Sequence, residues 1–136
     1  MSRKKKRHGG FFITAVIAGA VAAGTAGAAI IPASVHSGTL DCTQLEQLWR
    51  AGGGSSSTAF EAAEIARAES GGEQYATDDD ANGSVDYGYW QINSSNGGSP
   101  ASYNPLENAR QAVSLYDADG WEPWITWRHG AETGQC

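Results

Sequence analysis

Hydrophobic residues recur at the spacing of α-helices in three parts of the chain. The first predicted helix covers residues 43–51, where two leucines and a tryptophan share one face and three glycines follow. The second covers residues 59–70, because Thr58 is followed three residues later by a glutamate, as in a capping box, and a glycine pair ends the segment. The third opens at Pro105, after an asparagine, with alanines, a valine and a tyrosine along one side.

Between the second and third helices the pattern changes to one typical of a β-hairpin. Asn82-Gly83 is a strong two-residue hairpin sequence, and short strand-like runs flank it at residues 75–77 and 84–87. Near the C-terminus, residues 121–127 contain three tryptophans at intervals of three, a spacing at which aromatic side chains usually pack a core. The sequence therefore predicts a mainly α fold with one small β-hairpin, of the α+β class.

The first 31 residues have the pattern of an export segment. Residues 1–10 contain five positive charges and are expected to remain cytoplasmic, and residues 11–31 are uncharged and mostly apolar. The run is 21 residues long, enough to span a bilayer, which needs ~20, so a cleaved signal peptide and a retained membrane anchor are both open. Residues 32–41 would then form a linker, and residues 42–136 the exported domain.

The charge of the exported part excludes some classes of partner. The whole chain has a formal charge of −6, and without residues 1–10 the remainder has a charge of −11 and only four arginines. Such a domain cannot neutralise phosphates, so we expect no nucleic-acid partner. Electrostatic steering would not favour anionic polymers either, and any polymer must be bound by stacking and hydrogen bonds. We expect the domain to act as a monomer.

The two cysteines, Cys42 and Cys136, lie at opposite ends of the predicted domain. Outside the cytoplasm they should form a disulfide, which would stabilise the domain by roughly 4–5 kcal/mol in the chain-entropy model. A metal or reactive-thiol site is the alternative, but no histidine or further cysteine lies at ligand spacing.

Residues 65–72, IARAESGG, place a glutamate in the last turn of the second helix. Projected at roughly 100° per residue, Glu69 shares a side with Ala62 and Ile65, whereas Glu64 lies on another side. Burial and the negative end of the helix dipole both disfavour a charged carboxyl at that place. A carboxylic acid that keeps its proton near neutral pH can donate it to a leaving group. The alternative is a glutamate that extends into water.

A second carboxylate, Asp86, follows the predicted hairpin turn, 17 residues after Glu69. Two carboxylates on either side of a sugar bond are the groups needed for glycoside hydrolysis, which requires no cofactor. The aspartates between Asp78 and Asp86 also follow the first half of an EF-hand loop, but Tyr89 occupies the position of the closing glutamate. We interpret them as turn residues and expect no metal site.

AESGG followed by NGSVDYGYWQINSS resembles lysozyme, and ESGG with YGxxQ also resembles the lytic transglycosylase (SLT)-like domains of exported cell-wall enzymes. The resemblance spans about residues 40–130 and implies a lysozyme-like fold that cleaves the β-1,4 bond between N-acetylmuramic acid and N-acetylglucosamine. It implies that Glu69 is the general acid and that Asp86 is the nucleophile or charge stabiliser. The resemblance also implies that Gln91 and Asn93 hydrogen-bond the sugar. Three aromatic side chains beside the motif are candidate walls of the cleft: Tyr87, Tyr89 and Trp90.

Three functions are left open. The first is a muramidase-type hydrolase that uses both carboxylates. The second is a lytic transglycosylase in which Glu69 alone acts as acid and then as base, as in many relatives of that type. The third is a cell-wall glycan-binding domain without catalysis. The substrate expected from the resemblance is peptidoglycan, with chitin as the alternative polymer.

Overall fold

The computed structural model describes residues 38–96 and 101–136. The described helices and strands, in chain order, are α1 (Cys42–Ala51), α2 (Ala59–Ser70), β1 (Thr77–Asp79), β2 (Val85–Tyr87), β3 (Ile92–Asn93), α3 (Pro105–Asp119) and α4 (Ile125–Arg128). The strands form an antiparallel sheet in the order β1-β2-β3. The predicted α+β class is therefore confirmed, and β3 and α4 are elements that the sequence pattern did not indicate.

The predicted export segment, residues 1–31, lies outside the described residues. Within the described part of the chain, no helix is both long enough and apolar enough to cross a membrane. Residues 38–41, predicted as the end of a linker, pack against the domain instead. The side chain of Leu40 is buried, and its N–H donates a 2.8 Å hydrogen bond to the carbonyl oxygen of Gly72.

The capping box of the domain lies at α1 and not at α2. The Asp41 carboxylate accepts a 2.9 Å hydrogen bond from the Gln44 N–H, and the Gln44 side chain accepts one of 3.0 Å from the Asp41 N–H. The side chain of Thr58 makes no capping hydrogen bond, so the predicted capping box there is wrong, although the boundaries of α2 are as predicted. The Thr58 hydroxyl instead accepts a 3.1 Å hydrogen bond from the indole N–H of Trp49.

Trp49 lies at the centre of a core between α1, α2 and α3. Its ring centroid lies within 6 Å of three other aromatic rings, those of Trp90, Tyr116 and Trp121. Most of the buried residues of α2 are alanines. Small side chains let the helices approach closely around the tryptophans. Trp124 is also buried, which confirms for this residue the predicted role of the C-terminal tryptophans in the core.

Glu64 is buried, although the helical projection placed it away from the apolar side of α2. Its side chain is only 7% exposed, and its Oε1 accepts a 2.8 Å hydrogen bond from the N–H of Gly134. The C-terminal residues lie against this side of α2 because Cys136 is joined to Cys42 by the predicted disulfide. The error arose because the second partner surface of α2 lies 70 residues further along the chain.

Candidate active site

An open groove of about 290 Å³ lies where the end of α2, the sheet and α4 meet. The side chains that matter for its chemistry come from all three elements: Glu69, Asp86, Gln91, Asn93, Ile125 and Arg128. The four polar residues that the sequence singled out are therefore brought together on one surface. The groove is open to solvent, so these side chains are accessible to a ligand.

Glu69 lies in the last turn of α2 and is half-buried. Its Oε1 accepts a 2.6 Å hydrogen bond from the hydroxyl of Thr126, and the Thr126 N–H lies 3.5 Å from the same oxygen. The helix ends one residue later, because Gly71 adopts the left-handed conformation, with a φ of 67°. The next residue, Gly72, lies so close to the carbonyl oxygen of Leu40 that a Cβ would collide with it. Glu69 is thus held by a polar partner from α4, which its helix face did not predict.

Asp86 lies in the middle of the sheet, opposite Asp78 of β1 and Asn93 of β3. The Nδ2 of Asn93 donates a 2.7 Å hydrogen bond to Asp86 Oδ1. Burial raises the pKa of the Asp86 carboxyl above its ordinary value, the hydrogen bond from Asn93 opposes that rise, and the charges of Asp80 and Asp78 add to it. Asp86 therefore keeps its proton to a higher pH than an isolated aspartate.

The aspartate-rich hairpin turn satisfies its own polar groups. The Ser84 hydroxyl donates a 2.6 Å hydrogen bond to Asp80 Oδ2, and the Ser84 N–H donates one of 2.8 Å to Asn82 Oδ1. Asn93 Nδ2 also lies 2.7 Å from Asp80 Oδ2, which ties the turn to β3. Among the described residues, no group of three or more His, Cys, Asp or Glu side chains could hold a metal ion.

Gln91 has a strained backbone at the edge of the groove. Its φ of 45° is the only positive value at a non-glycine position in the described ranges. The side-chain amide donates hydrogen bonds to the carbonyl oxygens of Gly88, at 2.8 Å, and Ala76, at 3.1 Å. These bonds hold the unusual conformation and engage the amide donors, which leaves the side-chain oxygen for a ligand.

Tyr89 and Trp90 are fully buried, so the expectation that they form walls of the cleft is wrong. Strand alternation ends at Gly88, whose φ is 74°, and both following side chains consequently enter the core. The Tyr89 hydroxyl donates a 2.9 Å hydrogen bond to the carbonyl oxygen of Gly38, far from the groove. Tyr87 is half-buried, stacks edge-on against Tyr103 and is not among the residues that line the groove.

Asn108 of α3 fixes the segment that follows Asp86. This fully buried side chain donates a 2.8 Å hydrogen bond to the carbonyl oxygen of Tyr87 and accepts one of 3.1 Å from the Trp90 N–H. A Cβ on Gly88 would lie 2.7 Å from the Asn108 amide nitrogen, so only glycine fits between them. Asn108 was not predicted, because an asparagine inside a helix has no sequence pattern that indicates such contacts.

Sequence reasoning also missed the contribution of α4. Thr126 contacts Glu69, and Arg128 brings a positive charge to a groove that otherwise holds two carboxylates. Arg50 and Arg110 form ion pairs with glutamates on their own helices, whereas the guanidinium of Arg128 makes no hydrogen bond or ion pair with another described residue. The tryptophan spacing in this segment predicted core packing and gave no indication of the residues between the tryptophans.

A model of the lysozyme-like domain family matches residues 46–126 of the chain. The matched range begins within α1, includes Glu69, Asp86, Gln91 and Asn93, and ends at Thr126. None of the curated proteins compared with the chain matches it.

Proposed function

The chain belongs to the lysozyme-like domain family, and from that premise we propose that it cleaves peptidoglycan glycan strands at the β-1,4 bond between N-acetylmuramic acid and N-acetylglucosamine. Family members are in general glycosidases or transglycosylases. The observation that supports the proposal most directly is that Glu69 and Asp86, from two different elements, line one open groove. A pair of carboxyl groups on either side of the bond that is cleaved is the usual arrangement in glycoside hydrolases.

Glu69 is proposed as the general acid. A half-buried carboxyl at the rim of an open groove is accessible to the glycosidic oxygen of a bound strand, to which it would donate its proton as the bond breaks. The hydrogen bond from the Thr126 hydroxyl orients this carboxyl.

Asp86 is proposed to stabilise the positive charge that develops on the sugar, either electrostatically or as a nucleophile, in a hydrolase mechanism. In the transglycosylase mechanism Glu69 alone acts, first as acid and then as base, and the sugar's own hydroxyl closes the product. The hydrogen bond from Asn93 supports a defined orientation of Asp86 in either case.

The proposed substrate is the carboxylate-bearing glycan strand of peptidoglycan and not neutral chitin. The guanidinium of Arg128 lines the groove without a described partner, and the lactyl group of N-acetylmuramic acid, where it carries no stem peptide, supplies a carboxylate that N-acetylglucosamine lacks. The side-chain oxygen of Gln91 is proposed to bind sugar hydroxyls. The amide of Asn93, which the resemblance assigned to the sugar, donates to Asp80 and Asp86 and accepts from the Ser95 N–H, so we propose that it orients Asp86 instead. No cofactor enters this chemistry.

We propose that the domain acts outside the cytoplasm, either free or anchored to the membrane through residues 11–31. The disulfide between Cys42 and Cys136 supports this location, because disulfides persist in oxidising compartments. The net charge of the domain supports the absence of nucleic acid among its partners.

The test is digestion of purified peptidoglycan by the full chain and by Glu69→Gln, followed by mass spectrometry of the soluble fragments. We expect activity in the wild type and a loss of at least about 100-fold in the variant, with an unchanged circular dichroism spectrum. Glu107→Gln, an exposed glutamate on α3, is the matched control. Fragments lighter by one water would identify a transglycosylase. Binding of the wild type to peptidoglycan without fragments would instead support a non-catalytic glycan-binding domain.

A further inference from the structure

We propose that Thr126 is a positioning residue that determines which oxygen of Glu69 carries the proton. Its hydroxyl and its N–H lie 2.6 Å and 3.5 Å from the same oxygen, Oε1. A backbone N–H can only donate, so Oε1 is kept as an acceptor. The proton that Glu69 delivers is then carried by the other oxygen, Oε2. This inference rests on the proposed function.

The surroundings of the two oxygens support this assignment. No described residue forms a hydrogen bond with Glu69 Oε2, and this oxygen is not fully buried. Oε2 is therefore accessible from solvent, whereas Oε1 faces α4. A carboxyl held in this way presents its acidic oxygen to a ligand and its accepting oxygen to the protein.

Thr126 lies behind Glu69 and is not itself part of the groove surface, although its neighbour Ile125 and also Arg128 are. Two hydrogen bonds hold the chain around Thr126. The indole N–H of Trp124, two residues earlier, donates to the carbonyl oxygen of Trp90, and the Ala131 N–H donates a 2.8 Å hydrogen bond to the Thr126 carbonyl oxygen. Since Thr126 does not line the groove, its removal should impair the chemical step and leave substrate binding nearly unchanged.

The direction of the effect follows from hydrogen bonding. A hydroxyl that donates to a carboxylate stabilises the charged form, and the loss of that donor makes the carboxyl retain its proton to higher pH. The other charged groups that line the same groove are Asp86 from β2 and Arg128 from α4, and neither changes in a Thr126 variant. The alkaline limb of the pH–rate profile should therefore move to higher pH when the hydroxyl is removed.

The experiment compares Thr126→Val, which keeps the shape, with Thr126→Ser, which keeps the hydroxyl, in the full chain. For Thr126→Val we expect kcat to fall about tenfold, the typical effect of losing one hydrogen bond to a charged group, with KM changed by less than about twofold. The alkaline limb of kcat should move to higher pH. Thr126→Ser should restore both properties, and Thr43→Val, an exposed threonine on α1, should change neither.

A second measurement separates this inference from the proposed function. Carboxyl-carbon NMR follows the titration of Glu69 directly, and its midpoint should be higher in Thr126→Val than in the wild type, whether or not the chain cleaves glycan. If valine prevents folding, Thr126→Ala serves instead. An unchanged midpoint, or a serine variant as impaired as the valine variant, would overturn the positioning role. A wild type without activity but with the expected NMR shift would overturn the proposed function alone.

Discussion

The indole N–H of Trp124 donates a 2.9 Å hydrogen bond to the carbonyl oxygen of Trp90 in the core. Trp90 in turn donates its own indole N–H to the carbonyl oxygen of Ala62 on α2, also at 2.9 Å. Asp86 precedes Trp90 by four residues, and Thr126 follows Trp124 by two. Two buried hydrogen bonds therefore connect the segment after the hairpin and the start of α4 to α2, whose last turn contains Glu69.

Trp124→Phe should lower the free energy of unfolding by about 1–3 kcal/mol, because the carbonyl oxygen of Trp90 loses its buried donor. Urea unfolding followed by circular dichroism measures the change. Trp127→Phe is the control, since Trp127 is only partly buried and its indole has no hydrogen bond within the described ranges. Equal losses in the two variants would mean that ring volume, and not the hydrogen bond, accounts for the stability.

Asp86→Asn distinguishes the two catalytic mechanisms while leaving the side-chain shape unchanged. If Asp86 stabilises the charge on the sugar, kcat should fall by at least about 100-fold at neutral pH. The loss should shrink at acid pH, where Asp86 of the wild type is itself protonated. If Glu69 acts alone, the variant should retain most of the wild-type rate and release fragments lighter by one water. Steady-state rates on purified glycan strands, combined with fragment masses, measure both properties in one experiment.

The acid limb of the pH profile should depend on the neighbours of Asp86 in a hydrolase. The pKa of Asp86 is raised by burial first and then by the charges of Asp80 and Asp78, so kcat/KM should fall, as pH decreases, at a higher pH than the ordinary aspartate value of 3.8 would give. Asp78→Asn removes one like charge from the facing strand and should move this limb to lower pH. Asp117→Asn, an exposed aspartate on α3, should leave it in place. If the acid limb does not move in Asp78→Asn, activity does not require the ionised form of Asp86.

Local sequence patterns predicted most of the helices and the hairpin, but they did not predict features that depend on contacts between residues far apart in the chain. The boundaries of α2 and the position of the hairpin follow from glycine stops and from Asn82-Gly83, whose effects act over a few neighbouring residues. Glu69 was identified because its place at the end of a helix and its separation from Asp86 along the chain can both be read from the sequence. These features need no knowledge of the tertiary fold.

The remaining features depend on residues far apart in the chain. Trp90 enters the core because Gly88 ends the strand, which the periodicity of two could not indicate. Thr126 meets Glu69 from 57 residues away, and Gly134 meets Glu64 from 70 residues away. Neither contact has a local pattern, so the partner of the proposed acid could only be found in the structure.

Arg128→Gln should reduce the preference for carboxylate-bearing strands over neutral ones. We expect the wild type to cleave glycan strands with free lactyl carboxylates faster than chitin oligosaccharides, with the difference decreasing at high salt. The variant should lose a factor of about 5 in the ratio of the two kcat/KM values, since an exposed charge pair is worth up to ~1 kcal/mol. Arg110→Gln, an exposed arginine on α3, is the control. An unchanged ratio in Arg128→Gln would overturn the role of Arg128 in substrate choice.

Three glutamates lie together where the C-terminal residues pack against α2. Glu132 is 6% exposed, and its Oε2 has no hydrogen-bond partner in the described part of the chain. The pKa of Glu61 is raised, first by burial and then by the charges of Glu132 and Glu64. The folded chain thus binds a proton at Glu61 more tightly than the unfolded chain does. This contribution stabilises the fold below the ordinary value of 4.5 and is lost as the pH rises through the folded pKa.

Glu132→Gln should therefore raise the midpoint of thermal unfolding by a few degrees near neutral pH, because it removes a buried charge and one of the causes of the raised pKa of Glu61. Near pH 4 the gain should shrink, because Glu61, whose pKa is raised, is then protonated in the folded chain and no longer repels Glu132. Calorimetry at the two pH values measures the difference, with Glu122→Gln, an exposed glutamate, as the control. A lower midpoint in Glu132→Gln at neutral pH would mean that the charged carboxylate stabilises the packing of the C-terminal residues, contrary to this account.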